Sequence, residues 1–237
     1  MSEKLSLTQY LCRSGVASRR NSAQIVKSGR VSVDGAIIPE PGFKVPDGAN
    51  VCVDGKTICV VTQHHYIMLN KPRGYVSSSS DVHAPKKAID LIKLPGSPRI
   101  FSAGRLDKDS RGLLIFSDDG NYVDHLIHPR YRVLKRYLVT LPRELDEKEL
   151  RRICSGIEDE GEVLRAESIR SCGNRVYEVV LNEGKKREIR RLTAAVGAPT
   201  LDLQRVSIGA LALGDLPEGQ FRELSEEEIK LSLTPDK

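Results

Sequence analysis

Of the three Asp-Gly dipeptides in the first quarter of the chain, two, Asp34-Gly35 and Asp54-Gly55, each interrupt a run in which apolar residues alternate with polar ones. An Asp-Gly pair in such a setting is a strong signal for a tight β-hairpin turn. The stretch between the two hairpins, 39–48, contains three prolines and two glycines and therefore predicts a loop. We expect a few short strands here, which can bury only a small core.

The residues before these hairpins predict two helices. Apolar residues recur at helical intervals between 5 and 30, and Gly15 and Gly29 stand where helices could end. Ser18 can cap the second helix. Helices and hairpins together predict a small domain over 1–60, near the lower size limit for independent folding.

Positive charge is concentrated in the same segment. The formal net charge is +5, and residues 1–30 alone hold six basic side chains against one acidic one. The rest of the chain is neutral as a whole, but it carries two further basic clusters, at 130–143 and 185–191. Such clusters favour binding of a polyanion, because neutralising phosphates releases counterions. A single cluster could equally be solvated surface charge, whereas three clusters favour nucleic acid.

The longer region, 61–237, alternates short apolar strands with helical stretches around 119–127, 146–155 and 186–196. This mixture predicts an α+β domain with a mostly antiparallel mixed sheet flanked by helices. No apolar run approaches the roughly 18 residues of a membrane helix. The five cysteines include no Cys-x-x-Cys pair. We therefore expect a cytoplasmic protein with reduced thiols and no disulfide framework or zinc site.

The stretch GRLDKDSRGLLIFSDDG, over 104–120, places acids in a turn just before an apolar strand. A calcium-binding EF-hand loop starting at Asp107 would need an oxygen ligand where Arg111 stands. A phosphoryl-transfer aspartate would directly follow an apolar strand, whereas Gly104-Arg105 intervene here. Two interpretations of this stretch remain, a lone catalytic aspartate and a surface turn with incidental acids. The residues by themselves favour the surface turn.

Two other motifs are weaker candidates for a site. Gly55-Lys56-Thr57 lacks the first glycine of a phosphate-binding loop, because Asn50 stands at that position. The histidines at 64–65 and at 125 and 128 have no third metal ligand nearby in the sequence. We therefore expect no bound metal.

The first domain resembles a known RNA-binding module. The segment 7–45 is similar to the S4 domain, particularly through Gly15–Arg20 and Ser28–Gly35. The resemblance implies that the second helix lies against RNA phosphates and recognises shape more than base sequence. The side chains implied in this contact are Arg19, Arg20, Lys27 and Arg30.

The second domain resembles the pseudouridine synthases, specifically the RsuA family. The stretch at 104–120 is similar to the aspartate motif of that family, and 69–78, 134–141, 182–197 and 201–225 resemble its other segments in order and spacing. The resemblance implies that Asp107 is the catalytic nucleophile, Tyr137 the active-site tyrosine and Arg190 the active-site arginine. It also implies isomerisation of a uridine to pseudouridine without a cofactor.

The residue types suit that chemistry. A carboxylate at Asp107 could attack C1′ of the ribose or C6 of the uracil. Arg190 would keep the carboxylate ionised and oriented. Tyr137 would stack on the uracil and transfer the C5 proton. RNA contacts in this domain are expected from Lys71, Arg105, Lys135, Lys185, Lys186, Arg187 and Arg191, although a structural role for Lys71 fits equally well.

The expected partner is ribosomal RNA, free or in a pre-ribosomal particle, bound by a monomer. The pattern at 184–191 resembles that of the family members which act on RNA of the large subunit, and this resemblance implies the same substrate here. Two alternatives stay open, namely a non-catalytic RNA-binding ribosome assembly factor and an enzyme that modifies transfer RNA.

Overall fold

The computed structural model describes residues 4–61, 63–77, 85–96 and 98–234, so that the last serine of the 69–78 motif lies outside the described residues. The chain divides into two compact units, 1–64 with 96–99 and 65–95 with 100–237. Within the described ranges, no helix has both the length and the apolar character to cross a lipid bilayer.

The first unit consists of two helices and a four-stranded antiparallel sheet in the order β2-β1-β3-β4. Its elements are α1 (Leu7–Arg13), α2 (Arg19–Lys27), β1 (Val31–Val33), β2 (Ala36–Ile37), β3 (Val51–Val53) and β4 (Lys56–Ile58). As predicted, the Ser18 side chain caps α2 by accepting a hydrogen bond from the amide of Asn21. In Asp34-Gly35 and in Asp54-Gly55, both residues have positive φ, the conformation that a tight hairpin turn requires.

The core of this unit explains which side chains remain at its surface. Leu7, Leu11 and Val26 are fully buried against the inward-facing valines of β1 and β3. The basic side chains of α2 are exposed to solvent, at Arg19, Arg20 and Lys27.

The second unit is built on a nine-stranded mixed sheet, which confirms the predicted α+β architecture. The main strand order is β11-β12-β8-β13-β7-β5-β15, with β14 beside β13 and β6 beside β7. The strands are β5 (Tyr66–Lys71), β6 (Phe101–Ala103), β7 (Arg111–Ser117), β8 (Lys135–Thr140), β11 (Ser168–Gly173), β12 (Val176–Leu181), β13 (Asp202–Ile208), β14 (Leu211–Ala212) and β15 (Phe221–Glu223); β9 (Ile157–Asp159) and β10 (Glu162–Leu164) form a separate hairpin. The β7–β13 pair is parallel, and the other strand pairs of this sheet are antiparallel.

Helices cover both faces of this sheet, which explains why β7 carries apolar residues on both of its faces. The helices are α3 (Gly120–Ile127), α4 (Glu147–Ser155), α5 (Glu188–Ala195) and α6 (Glu226–Leu233). Along β7, Leu114 and Phe116 belong to the core that includes α4 and α5, whereas Leu113 and Ile115 belong to the core that includes α3 and α6. The period-2 geometry of a strand therefore divides the core into two layers.

Candidate active site

Asp107 lies in the turn that connects β6 to β7. The turn closes on itself, because the amide of Ser110 donates a 3.0 Å hydrogen bond to the carbonyl oxygen of Asp107. Before the turn, the buried residue Leu106 is held by Ser77, whose hydroxyl accepts from its amide at 3.0 Å and donates to its carbonyl at 2.8 Å. Leu106 and Ser110 are buried, while the Asp107 side chain remains about one third exposed. Buried neighbours therefore fix a carboxylate that solvent can reach.

Lys71 fixes the other end of the same turn. Its ammonium donates hydrogen bonds to the carbonyl oxygens of Ser110 (2.7 Å), Tyr75 (2.8 Å) and Pro72 (3.1 Å). The residue is completely buried, and burial lowers the pKa of Lys71 to about 8 even though the charge of Asp107 acts in the opposite direction. Lys71 therefore contacts the aspartate turn, with all three donors directed at backbone.

Two guanidinium groups approach the same oxygen of Asp107. Nη1 of Arg187 lies 3.9 Å from Oδ2, and Nε of Arg190 lies 4.0 Å from it. Arg190 is anchored by hydrogen bonds from Nη2 to the carbonyl of Asp109 (3.1 Å) and from Nη1 to the carbonyl of Thr200 (3.4 Å). Its buried Nε has no hydrogen-bond partner among the described residues. A small movement would therefore bring this free donor into a hydrogen bond with the carboxylate.

Asp107 and Tyr137 line two adjoining cavities. The smaller cavity, of about 70 Å³, has Leu181, Ile189 and Leu203 as apolar walls. The larger cavity has a volume of about 480 Å³. Tyr137 is only 7% exposed, yet its hydroxyl has no hydrogen-bond partner within the described part of the chain. A flat apolar ring with a free polar end suits a heteroaromatic base.

The lining of the larger cavity is strongly basic. Six basic side chains and one acid contribute to it, the acid being Asp107 and the bases Arg105, Lys135, Lys185, Lys186, Arg187 and Arg205. A concave surface with this charge attracts anions and raises their local concentration.

The structure thus brings most of the predicted site residues of the second domain to one place. Two of the predicted RNA contacts do not face the cavities. The guanidinium of Arg191 is bound to the carboxylates of Asp159 and Glu162, and the ammonium of Lys71 is buried with its donors on backbone carbonyls. In the first unit, Arg30 pairs with Asp54, its Nε lying 2.9 Å from Oδ1. The other predicted cations of that unit, Arg19, Arg20 and Lys27, are exposed on α2.

Sequence reasoning missed two residues of the site, Arg205 and Glu188. Arg205 is 2% exposed and lines the larger cavity. The feature of the sequence that could have indicated it is an arginine at an inward-facing position of β13, between Leu203 and Ser207. Glu188 is 3% exposed and lines the smaller cavity, where it accepts a 2.9 Å hydrogen bond from the amide of Lys185. Burial raises the pKa of the Glu188 carboxyl.

Within the described ranges, no group of three or more His, Cys, Asp or Glu side chains is arranged to hold a metal ion. The histidines have other contacts. His65 pairs with Glu223 at 3.0 Å, and the ring of His125 stacks on Tyr131 with 3.8 Å between ring centroids.

Comparisons with known proteins match both units. The family described as RNA pseudouridylate synthase matches residues 65–195, and the S4 domain matches residues 6–51. An uncharacterised RNA pseudouridine synthase of Aquifex aeolicus is 35% identical over 95% of each chain. The ribosomal large subunit pseudouridine synthase B of Bacillus subtilis is 33% identical over 94% of this chain and 93% of its own. A crystal structure of a pseudouridylate synthase superposes with a TM-score of 0.70 and 26% identity, covering 96% of this chain and 99% of that one.

Proposed function

This chain belongs to the RNA pseudouridylate synthase family, and we propose that it converts a uridine of ribosomal RNA to pseudouridine with Asp107 as the nucleophile. The observation that carries the proposal is the Asp107 carboxylate, which lies about 4 Å from two guanidinium groups in the wall of a basic cavity. The Bacillus subtilis relative is named for the large ribosomal subunit, which supports RNA of that subunit as the substrate.

The reaction rearranges atoms that are all present in the substrate. An oxygen of Asp107 attacks C1′ of the ribose or C6 of the uracil, and the N1–C1′ bond breaks. The base turns within the cavity and forms a bond from C5 to C1′. In the C1′ route the bond from Asp107 to C1′ breaks as C5 attaches, and in the C6 route the bond from Asp107 to C6 breaks afterwards, so that the carboxylate is released in both. C5 loses its proton, and N1 carries one in the product. The reaction involves no oxidation or reduction, so a carboxylate and groups that transfer protons are sufficient to catalyse it.

Arg190 and Arg187 are suited to support Asp107 during these steps. Charge on the carboxylate changes as the covalent bond forms and breaks, and fixed donors stabilise such changes more than water does. Arg190 is already anchored on two carbonyls and keeps a free Nε beside Oδ2. Tyr137 has a free hydroxyl for the C5 proton and a ring that can stack on the uracil.

We further propose that the S4 domain, over 1–60, holds the RNA while the domain over 61–237 modifies it. The exposed cations of α2 would bind phosphates, as backbone contacts do in positioning nucleic acids. The target base must leave its stack to reach Asp107, at a cost of a few kcal/mol. The basic lining of the larger cavity would offset that cost by binding the flanking backbone.

We propose that the enzyme acts as a monomer, because this chain by itself supplies the carboxylate, the tyrosine and the arginines that the reaction needs. We place it in the cytoplasm, where its five cysteines would remain thiols and ribosomal RNA is found, free or in a pre-ribosomal particle.

The test maps pseudouridine in ribosomal RNA from cells with and without the gene, using carbodiimide modification and primer extension. We expect one reverse-transcription stop to disappear without the gene and to return with the wild-type gene. Asp107→Asn should not restore the stop. Asp109→Asn is the matched control, because it removes an exposed acid from the same turn, and it should restore the stop.

An unchanged ribosomal RNA map would reject the proposed substrate. Mapping transfer RNA from the same cells would then separate a transfer-RNA enzyme from a non-catalytic assembly factor, because only the enzyme leaves a stop that depends on Asp107.

A further inference from the structure

Arg205 is a buried cation whose guanidinium is only partly satisfied. The residue is 2% exposed, and its Nε donates a 2.7 Å hydrogen bond to the carbonyl of Leu113. Its Nη2 is buried and has no hydrogen-bond partner among the residues that the structure describes. Arg205 lines the larger cavity, beside Tyr137, its direct partner in the β8–β13 pairing.

Lys135 is a second cation in the same wall. It lies two residues before Tyr137 on β8 and therefore on the same face of the strand. Its ammonium donates to the carbonyl of Val133 at 2.9 Å, which leaves two of its three donors free. Burial lowers the pKa of Lys135 to about 8, and the charge of Arg205 contributes to this shift, so that the two cations lie within electrostatic range of each other.

Three other arginines of this unit are paired with carboxylates. Arg111 is paired with Asp202 at 2.8 Å, Arg222 with Glu228 at 2.6 Å, and Arg191 with two carboxylates. Across the described residues, neither Lys135 nor Arg205 has a carboxylate partner.

Placing two cations in the wall of one cavity without an anion is costly, because each loses hydration and repels the other. A pair of this kind in a cavity wall is expected where an anionic ligand supplies the missing counter-charge.

We propose that Lys135 and Arg205 form a subsite for a phosphate group attached to the ribose of the target uridine. The inference rests on the proposed function, which makes that nucleotide the occupant of the cavity. Both an ammonium and the edge of a guanidinium can donate charge-assisted hydrogen bonds to phosphate oxygens. The subsite would fix the ribose beside Asp107 while the base, detached from C1′, turns against Tyr137.

The experiment titrates the full-length protein by calorimetry with uridine, uridine 5′-monophosphate and uridine 3′-monophosphate. We expect one of the monophosphates to bind about tenfold more tightly than uridine, because a charge-assisted hydrogen bond is gained. Which monophosphate gains affinity identifies the phosphate that the subsite holds. Lys135→Met should abolish the difference, whereas Lys148→Met, which removes an exposed lysine of α4, should preserve it.

The proposal is overturned if neither monophosphate binds more tightly than uridine, or if Lys135→Met keeps the full preference. Should Lys135→Met fail to fold in a thermal melt, Arg205→Lys serves instead, since it keeps the charge and removes the guanidinium fork. It should weaken monophosphate binding several-fold more than it weakens uridine binding. Nucleotide binding needs no turnover, so a protein that prefers the monophosphate but forms no pseudouridine would reject the proposed reaction and not the subsite.

Discussion

The ammonium of Lys71 donates a 2.7 Å hydrogen bond to the carbonyl of Ser110, and this contact ties the end of β5 to the turn that carries Asp107. Two further buried carbonyls depend on the same ammonium. We predict that Lys71→Met lowers the free energy of unfolding by about 3 kcal/mol, because buried carbonyls lose their donor. Urea denaturation at pH 7 measures this loss. Lys148→Met should change the same quantity by less than about 0.5 kcal/mol, and an equal loss in both variants would contradict the prediction.

The lowered pKa of Lys71 predicts how its contribution to stability depends on pH. The side chain titrates near 10.5 in the unfolded chain and near 8 in the folded protein. Between these values the unfolded state binds more protons, so that the free energy of unfolding rises with pH. The stability of the wild type relative to Lys71→Met should therefore increase from about pH 8 to about pH 10.5 and stay constant below about pH 7. Urea titrations at half-unit pH steps provide the test, and a difference that falls over this range would refute the assignment.

We predict that Arg190 and Arg191, which are neighbours on α5, have different roles, so that substituting the first lowers turnover and substituting the second lowers stability. Arg190→Gln removes the donor beside Asp107 and should lower turnover about 100-fold, as losses of a transition-state donor do, with RNA affinity retained. Arg191→Gln breaks the ion pairs to Asp159 and Glu162 and should lower the melting temperature by a few degrees. Turnover per folded molecule should stay near the wild-type value in Arg191→Gln. Single-turnover kinetics and thermal melts on both variants make the comparison, and a turnover defect in Arg191→Gln alone would reverse the assigned roles.

We predict that the S4 domain binds RNA with an affinity that depends on salt concentration. Arg19→Glu combined with Arg20→Glu should weaken binding of ribosomal RNA fragments and flatten the dependence of affinity on salt, because fewer counterions are released. Binding titrations between about 50 and 200 mM salt measure the slope. The acids of α6 lie outside the basic helix, so Glu226→Gln serves as a control with an unchanged slope. Unchanged affinity in the double variant would exclude α2 from the RNA contact.

The elements that sequence predicted correctly are those encoded by local signals. Ser18 caps α2 because a short hydroxyl side chain satisfies a free helix amide, and Asp34-Gly35 turns because both residues tolerate positive φ. The environments of Arg205 and Gly112 come instead from pairing between strands that are distant in the sequence. A Cβ on Gly112 would lie 2.3 Å from the carbonyl oxygen of Arg205, a contact that exists only once β7 and β13 have met.

The same distinction applies to the site. Motif resemblance predicted roles for Asp107, Tyr137 and Arg190, and the fold brings these three residues together. It also predicted an RNA contact for Arg191, whose ion pairs inside the domain the sequence did not indicate. The different partners of Arg190 and Arg191 follow from the helical geometry of α5, which turns consecutive side chains about 100° apart. One arginine therefore faces Asp107, and the next faces the β9–β10 hairpin.

Tyr137 offers the sharpest test of how the base is handled. Tyr137→Phe keeps the aromatic ring and removes the hydroxyl, which has no hydrogen-bond partner within the described residues and is free to act on the substrate. If that hydroxyl transfers the C5 proton, Tyr137→Phe should bind RNA like the wild type and turn over about 100-fold more slowly. Release of tritium from RNA labelled at C5 of uridine measures the proton loss directly. Tyr137→Leu, which also removes the stacking surface, should lose affinity for the RNA in addition. Wild-type tritium release by Tyr137→Phe would restrict the residue to stacking and would leave another group to accept the C5 proton.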